Sequence, residues 1–276
     1  MRIVFFNHYH NGDIFASKGY IADLIKEFKG HELIYQHFNS PKLLRDLNID
    51  FRTLEAPLGI FTDRTPLAGD KNSIYVNTWI GNYLPYGDGI NWITYHDMFR
   101  KIYSALSNVN DRSIDFGPVE YYFPQIDYDY FDIPNIKIPR NSIIISNGPV
   151  LSGQSELPDL NKLIQSILDN TDKNIILTHF APFNSDRIAF TNNLISTTGG
   201  DLNEIAWIAE QCDYIIGRNS GPFCFMTNKS IMNNRNKTII SIGNNEKDSF
   251  IYNVPINASY HFIHDNEANN VLDILK

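Results

Sequence analysis

Hydrophobic and polar positions follow two different periods along the first 110 residues. Residues 2–6 (RIVFF) are apolar from Ile3 onward, which is typical of a buried parallel strand. Residues 16–28 carry apolar side chains three and four positions apart, which predicts a helix with one buried face. Further strands are predicted at residues 31–38 and 73–80, and a further helix at residues 93–106. Strands that alternate with helices predict a parallel sheet covered by helices.

The alternation stops between about residues 114 and 141 and then begins again. The intervening segment contains four prolines and repeated Asp-Tyr pairs without a helical period, as a connection between domains would. After it, strands are predicted at residues 142–146, 173–180, 213–217 and 237–243, and helices at residues 157–170, 201–211 and 266–276. The sequence therefore predicts an α/β protein with two Rossmann-like domains, residues 1–140 and 141–276.

Polar loops follow the predicted strands in both domains. In open parallel sheets, ligands bind beyond the carboxyl ends of the strands, so two facing sheets would share one cleft. The loops expected to converge there are NHYHNGD, NTWIG, SNGPVLSGQS, THFAPFNSD and GRNSGP. We therefore expect the two domains to face each other across a ligand-binding cleft.

The net charge of the chain limits the kinds of binding partner that we expect. The chain has 31 acidic and 23 basic residues, a formal net charge of −8, and no run of lysines or arginines. Nucleic acid is therefore not an expected partner, because a phosphate backbone is bound by clustered cations. If a phosphate-containing ligand binds, backbone N–H groups and helix N-termini must provide much of the attraction.

Cysteine content and the start of the chain bear on its location. Cys212 and Cys224 are too few for a disulfide framework or a four-cysteine zinc site, and they suit a reducing compartment. The opening apolar run ends at Phe6 and is shorter than a signal sequence or a membrane span requires. We therefore expect a cytoplasmic protein without a transmembrane segment, and peripheral contact with a membrane stays open.

Residues 201–222 hold the most informative polar loop. An amphipathic helix leads into a strand that ends in a tight loop, where Gly217 and Gly221 permit backbone geometry that other residues resist. If a helix begins after Ser220, Asn219 and Ser220 would cap its N–H groups or share them with a diphosphate, which the positive helix end attracts. Arg218 could add a charged contact to that diphosphate. The alternative is an ordinary helix cap without a ligand.

These elements resemble a known family. The helix DLNEIAWIAEQ, the strand DYIIG and the loop NSGP are similar to the donor-site region of the heptosyltransferase-type glycosyltransferases of the GT-B fold, which commonly show D-S-G-P or D-T-G there. The opening HNGDIF resembles the Gly-Asp segment of the same family, and SIIISNGPVLSGQS stands where its second domain begins. The resemblance covers both domains in order, at low residue identity.

The resemblance implies an inverting glycosyltransferase that moves a sugar from a nucleotide-diphosphate sugar to a glycan or glycolipid hydroxyl, without a metal or other cofactor. The N-terminal domain would hold the acceptor and the C-terminal domain the donor. By the same resemblance, Asp13 matches the proposed general base of the family. The expected contacts to the donor phosphates are Ser146, Asn147, Gly148, Arg218, Asn219, Ser220, Gly221 and Pro222.

The chain departs from the family pattern at three places in the donor region. The family loop usually begins with an aspartate where this chain has Asn219. A histidine is often found a few residues later, where this chain has residues 223–225 (FCF). The lysine that commonly follows the strand equivalent to SIIIS is missing.

The chemistry of an inverting transfer agrees with the role of Asp13. Such a transfer needs a base within hydrogen-bond reach of the acceptor hydroxyl. Asp13 follows Gly12 in a predicted strand-to-helix loop, where we expect an exposed carboxylate that the helix N-terminus keeps ionised. Because aspartate is a preferred N-cap residue, a purely structural cap is the alternative.

His8 and His10 lie two positions apart, so their side chains would be on the same side of an extended segment. They could bind sugar hydroxyls, orient Asp13 or begin a metal site. The remaining acceptor-side candidates are Asn11, Gly12, Asn77 and Trp79. The tryptophan could stack on a sugar ring or pack in the core.

The strand that ends in His179 allows an alternative, because it is similar to a strand of the metallophosphoesterases. Those enzymes bind two metals through His, Asp and Asn ligands from several spaced motifs, most of which this chain lacks. The residues that such a site would use are His8, His10, Asp13 and His179. In a transferase, His179 or Phe180 would instead contact the base or ribose of the donor. A third hypothesis is a non-catalytic GT-B-like protein that binds a sugar nucleotide.

Overall fold

The computed structural model describes residues 1–39, 41–54, 67–70, 72–83, 91–110, 114, 116–149, 160–196 and 200–276. The chain forms two compact units, Met1–Gln125 and Ile126–Lys276. The sequence predicted the boundary near residue 140, later than this division. The connecting segment after Gln125 belongs to the second unit, where the Tyr128 hydroxyl donates a 2.6 Å hydrogen bond to Oε1 of Glu210.

The first unit is built on a five-stranded sheet. Its strands are β1 (Arg2–Asn7), β2 (Glu32–His37), β3 (Asp50–Thr53), β4 (Leu67–Gly69) and β5 (Ser73–Asn77). Its helices are α1 (Asn11–Glu27) and α2 (Trp92–Asn110), with 3-10 turns at Pro41–Leu44, Ile80–Asn82 and Val119–Tyr122. The strand order is β3-β2-β1-β5-β4, in which β4 is antiparallel to β5 and the other pairs are parallel. The order reverses beside β1, since β2 and β5 flank it.

Helix α1 begins earlier than the sequence predicted. The prediction started the helix at residue 16, whereas the structure starts it at Asn11, with His10 in the extended conformation of an N-cap but without a side-chain cap bond. Ile14 and Phe15 are already fully buried, so core packing holds this first turn although Asn-Gly favours a turn. Asp13 therefore lies inside the first helical turn and is neither a loop residue nor the N-cap.

The second unit is built on a six-stranded sheet. Its strands are β6 (Ser142–Ser146), β7 (Asn174–Leu177), β8 (Ile188–Phe190), β9 (Tyr214–Gly217), β10 (Thr238–Gly243) and β11 (Ser259–His264). Its helices are α3 (Leu160–Asn170), α4 (Thr191–Leu194), α5 (Leu202–Gln211), α6 (Gly221–Met226), α7 (Lys229–Met232) and α8 (Val271–Leu275), with 3-10 turns at Tyr128–Tyr130, Glu246–Asp248 and Asp265–Asn270.

All strand pairs of the second sheet are parallel, in the order β11-β10-β9-β6-β7-β8. Counted from β6, this is the 3-2-1-4-5-6 order of the Rossmann fold, and the order reverses between β6 and β9. The buried side chains of β6 and β7 pack with those of α3 and α8 into one core. The prediction of two Rossmann-like α/β domains is confirmed.

The sequence missed the edge strands of both sheets. β3 and β4 are the edges of the first sheet, and β8 and β11 are the edges of the second. None of these four strands has a buried residue. β4 and β8 are only three residues long, and β3 and β11 mix polar with apolar residues, so none shows the longer apolar run that identified the inner strands. The predicted closing helix is wrong in its first half, where Asp265–Asn270 forms 3-10 turns.

Part of one predicted loop and of the helix after it, residues 150–155 and 157–159, lies outside the described residues. Among the helices in the described ranges, none has the length and apolar character to cross a membrane.

Gly19 offers a test of the packing of α1. A Cβ at this position would lie 2.0 Å from the carbonyl oxygen of Tyr122. Gly19→Ala should therefore lower the free energy of unfolding by roughly 1–3 kcal/mol, although alanine in an open helix position stabilises by about 1 kcal/mol. Urea-induced unfolding measures the change, and Lys26→Ala on the exposed end of α1 is the control, expected within about 0.5 kcal/mol of wild type. A gain in stability for Gly19→Ala would contradict the described packing.

Candidate functional site

The first candidate site lies where β1 and β5 end side by side. Phe6 and Asn77 are partners in the parallel ladder between these strands. The Thr78 N–H and hydroxyl both donate to the Phe6 carbonyl oxygen, at 2.9 and 3.0 Å, and the Thr78 hydroxyl also bonds the Tyr35 hydroxyl at 2.9 Å. The two strand ends and the loops that follow them are therefore tied together at the reversal of strand order, where open parallel sheets bind ligands.

Asp13 lies beneath this edge and is buried, with 7% of its surface exposed. The Tyr95 hydroxyl of α2 donates a hydrogen bond to its Oδ1 atom. Its Oδ2 atom is 3.6 Å from Nδ1 of His10, a side chain that is 44% exposed. The expectation of an exposed carboxylate is wrong, because the buried ring of Tyr95 covers one side of Asp13. The two carboxylate oxygens consequently have different surroundings.

Two fully buried polar side chains, Asn7 and His37, lie next to each other in the ladder between β1 and β2. The Oδ1 atom of Asn7 accepts the Tyr9 N–H at 2.8 Å. The Nδ1 atom of His37 accepts the Asn39 N–H at 2.8 Å, so the proton of the neutral ring is on Nε2. Within the described residues, Nδ2 of Asn7 and Nε2 of His37 have no hydrogen-bond partner.

Burial keeps His8 and His37 neutral. Desolvation, together with the neighbouring His8 and His10, lowers the pKa of His37 to about 3. Burial also lowers the pKa of His8. The positive charge that protonated histidines would bring is therefore absent from His8 and His37 at neutral pH, and hydrogen bonding is the chemistry left to them.

An aromatic pair covers the open side of this edge. Tyr9 stacks on Trp79 with ring centroids 3.9 Å apart and an interplanar angle of 27°. A Cβ on Gly81 would lie 2.3 Å from the Trp79 ring, so that glycine is needed for the close approach. Tyr9 is 46% exposed. Trp79, which the sequence suggested for sugar stacking, therefore supports a second ring, and Tyr9 offers the more accessible face.

The sequence missed three residues of the first site: Tyr9, His37 and Tyr95. Tyr9 lies between His8 and His10 in the sequence, and this position could have indicated it as a site residue. His37 ends a predicted strand, and that position could have suggested it. Tyr95 lies 82 positions from Asp13, and no local pattern links the two.

The second candidate site lies where β6 and β9 end side by side. Ser146 and Gly217 are partners in the parallel ladder, and the hydroxyl oxygens of Ser146 and Ser220 are 3.0 Å apart. Helix α6 begins at Gly221, with Ser220 as its N-cap accepting the Phe223 N–H at 3.4 Å, as the sequence predicted if a helix followed. Pro222 occupies the first turn of α6.

Two expected roles in this loop differ in the structure. Asn219 does not cap the helix, because its Oδ1 atom accepts the Phe250 N–H at 3.3 Å. The glycines were expected to supply unusual backbone angles, yet Gly217 and Gly221 are not among the described residues with positive φ. Gly217 is needed for space, since a Cβ there would lie 2.5 Å from the Phe223 ring.

The loops after β6 and β7 join the same edge. Asn147 and His179 bond reciprocally: the Asn147 side chain donates to the His179 carbonyl oxygen at 2.9 Å and accepts the His179 N–H at 2.8 Å. The buried guanidinium of Arg218 donates to the Gly148 carbonyl oxygen at 3.3 Å. The structure thus brings the predicted donor contacts together. Phe180 is 72% exposed and stacks on Phe190.

Arg218 is the buried cation of this edge. Burial lowers its pKa from the ordinary arginine value, while the charge of Asp265 acts in the opposite direction. An arginine remains protonated at any physiological pH even so. A positive charge therefore lies under the loops that follow β6 and β9.

A small depression of about 30 Å³ adjoins Asn219 beyond the carboxyl end of β10. Its lining residues are Asn219, Ser241, Ile242, Gly243, Asn244, Asn245, Asp248, Ser249 and Phe262. Burial raises the pKa of Asp248. The lining of this depression combines amide and carboxylate groups with one aromatic ring, and its volume is about that of one water molecule.

No protein-family model and no curated protein matches this chain. Among solved structures, E. coli heptosyltransferase WaaC with ADP-2-deoxy-2-fluoro heptose is similar over 100% of this chain and 99% of that chain, with 10% identity and a TM-score of 0.58. E. coli ADP-heptose LPS heptosyltransferase II is similar over 100% of this chain and 98% of its own, with 12% identity and a TM-score of 0.55. The chain has the GT-B fold. The resemblance that the sequence suggested is thereby confirmed for the fold.

A third GT-B neighbour is described as iron-containing: TibC, a dodecameric glycosyltransferase from enterotoxigenic E. coli H10407, with 10% identity, a TM-score of 0.50 and coverage of 90% of this chain and 62% of that chain. In the described part of the present GT-B chain, no three His, Cys, Asp or Glu side chains are grouped so that they could hold a metal ion. The metallophosphoesterase alternative, which would use His8, His10, Asp13 and His179, receives no support.

His37 should make the free energy of unfolding depend on pH. The folded chain binds a proton there only near pH 3, whereas an unfolded chain binds it near pH 6.5. The stabilisation is therefore complete above pH 6.5 and is lost as the pH falls below that value, at up to about 1.4 kcal/mol per pH unit. Denaturant unfolding from pH 8 to 4.5 measures it. His37→Asn, which keeps an acceptor for the Asn39 N–H and cannot titrate, should reduce this dependence, and identical profiles would refute the assignment.

Proposed function

We propose that the chain is a glycosyltransferase that moves a sugar from a nucleotide-diphosphate sugar to a hydroxyl of a glycan or glycolipid. The observation that carries the proposal is the second site, where the N-cap of α6, two serine hydroxyls and the buried Arg218 meet at the strand reversal of a Rossmann-ordered sheet. Rossmann-ordered sheets bind nucleotide phosphates at this point. In a protein with the GT-B fold, the nucleotide that we expect at this point is a sugar nucleotide.

The donor diphosphate would lie against Ser146, Ser220 and the first N–H groups of α6. These groups donate hydrogen bonds, and the Arg218 guanidinium adds positive charge from below. The chain has no lysine cluster there and a net charge of −8, so these fixed donors provide most of the attraction. The nucleoside would extend over the polar surface beside Asn219, with His179 and Phe180 on the other flank.

The acceptor would lie against the first site, with a sugar ring on Tyr9 and its reacting hydroxyl near Asp13. The predicted acceptor contacts lie between the end of β1 and the first turn of α1, and at the end of β5: His8, His10, Asn11, Gly12 and Asn77. Asp13 Oδ2 takes the hydroxyl proton as the oxygen bonds to the anomeric carbon, and the bond from that carbon to the diphosphate breaks with its electrons leaving on phosphate. Attack opposite to the leaving group inverts the anomeric centre.

The same donors that hold the diphosphate also favour the reaction. Negative charge grows on the leaving phosphate in the transition state, and hydrogen-bond donors already in position stabilise it without reorganisation. In our proposal these hydrogen-bond donors and the positive charge of Arg218 take the place of a metal ion, so the reaction proceeds without one. We also propose that the protein works in the cytoplasm in the assembly of a polysaccharide.

A thermal-shift panel with ADP, GDP and UDP, each with and without EDTA, tests donor binding. We expect one diphosphate at about 100 times its Kd to raise the unfolding temperature by roughly 5 °C, because ligand bound to the folded state stabilises it by about 2.7 kcal/mol. The shift should be unchanged by EDTA. A shift that requires a divalent cation favours a metal-dependent enzyme, and no shift with any diphosphate argues against the proposal.

Substitution of Asp13 separates catalysis from binding. Asp13→Asn keeps the size of the side chain and an acceptor for Tyr95, but it removes the base. Turnover of ADP-heptose, or of the sugar nucleotide whose base the panel selects, should fall at least about 100-fold while the diphosphate shift is retained. Asp23→Asn is the control, since Asp23 is another α1 carboxylate contacted by a tyrosine hydroxyl, at 3.4 Å from Tyr122. Equal turnover of Asp13→Asn and wild type would favour a binding protein.

A further inference from the structure

Asp13 and Tyr95 form a contact that the reaction as proposed above does not use. Tyr95 belongs to α2, is fully buried, and donates its hydroxyl hydrogen to Oδ1 of Asp13. The Oδ2 atom of Asp13 faces the half-exposed His10 instead, at 3.6 Å. One oxygen is thus held by a buried phenol and the other is on the accessible side.

We propose that Tyr95 is a positioning residue, whose hydroxyl fixes the Asp13 carboxylate so that Oδ2 alone receives the proton of the acceptor hydroxyl. This inference rests on the proposed function of Asp13 as the base. The torsion that rotates a carboxylate about its Cβ–Cγ bond is broad and has no sharp minimum of its own. A charge-assisted O–H···O bond, about twice as strong as a neutral one, supplies the missing restraint.

Tyr95 can act as a restraint because it is itself held. Asn91 caps the start of α2: its Oδ1 atom accepts the N–H groups of Ile93 and Thr94 at 3.0 and 3.1 Å, and its carbonyl oxygen accepts the Tyr95 N–H at 3.1 Å. The buried ring of Trp92 lies 6.2 Å from the Tyr95 ring, centroid to centroid. A capped helix start and a packed ring leave the phenol little freedom to follow a rotating carboxylate.

The proton balance of the step leaves Tyr95 unchanged. The acceptor hydroxyl gives its proton to Oδ2 of Asp13, its oxygen bonds to the anomeric carbon, and the diphosphate leaves with the electron pair of the broken bond. Tyr95 remains a donor to Oδ1 before and after transfer. Its contribution is orientation, and displacement of a reacting group by about 1 Å can cost roughly 100-fold in rate.

Tyr95→Phe removes only the hydroxyl and tests the proposal in steady-state turnover of the sugar nucleotide used for Asp13→Asn. We expect kcat to fall roughly 10- to 100-fold, with the KM for the sugar nucleotide within about twofold of wild type. A purely structural defect would instead lower the folded fraction, and the diphosphate thermal shift measured on the same sample shows that the donor site is folded.

Tyr103→Phe is the matched control. Tyr103 lies on the same helix, is buried, and donates to the Tyr20 carbonyl oxygen at 3.1 Å, so its loss removes a buried hydrogen bond without contact to Asp13. This variant should keep the wild-type kcat. Equal kcat values for Tyr95→Phe and Tyr103→Phe would overturn the proposal.

A double variant gives a second test that does not depend on the size of a single effect. If Tyr95 acts through Asp13, Tyr95→Phe should lower kcat no further in an Asp13→Asn background. Independent, multiplicative losses would overturn the inference. Retention of wild-type kcat by Asp13→Asn alone would instead refute the proposed function, which separates the two failures.

Discussion

Ser146 and Gly217 are partners in the ladder that joins β6 to β9, and Phe6 and Asn77 are partners in the ladder that joins β1 to β5. Parallel pairing at a reversal of strand order makes the two following loops start side by side while the connecting helices leave in opposite directions. The space between them is open to a ligand, and the loop residues are anchored by buried strands. The contacts between the loops that follow these strands depend on this pairing.

The two edges differ in how they handle charge. The second unit keeps a permanent cation, Arg218, buried under loops that carry the Ser146 and Ser220 hydroxyls. The first unit buries a carboxylate, Asp13, whose Oδ2 atom is 3.6 Å from Nδ1 of His10. One edge is therefore suited to an anionic group and the other to taking up a proton. This difference in charge matches the proposed transfer of a sugar from a charged donor to a neutral acceptor.

The inner strands of both sheets could be predicted from sequence, because a strand buried on both faces has an apolar centre, as residues 143–145 do. The edge strands could not, since β8 is only three residues long and β11 mixes polar with apolar residues. The loop at residues 218–222 was predicted because its residues are consecutive in sequence. Tyr95 was not, because its contact with Asp13 crosses 82 positions and depends on how α2 packs.

The order of synthesis adds a consequence to the Tyr95 contact. A nascent chain emerges from the ribosome N-terminus first, so strand β1 and helix α1 are available long before α2. β1 can pair early with β2, but its other neighbour, β5, is synthesised later. Tyr95, which bonds the Asp13 carboxylate of α1, is synthesised later still. A ribosome-bound fragment that ends before Tyr95 can have a collapsed sheet and yet lack the hydrogen bond that holds the Asp13 carboxylate. The Asp13–Tyr95 contact is thus formed late in translation.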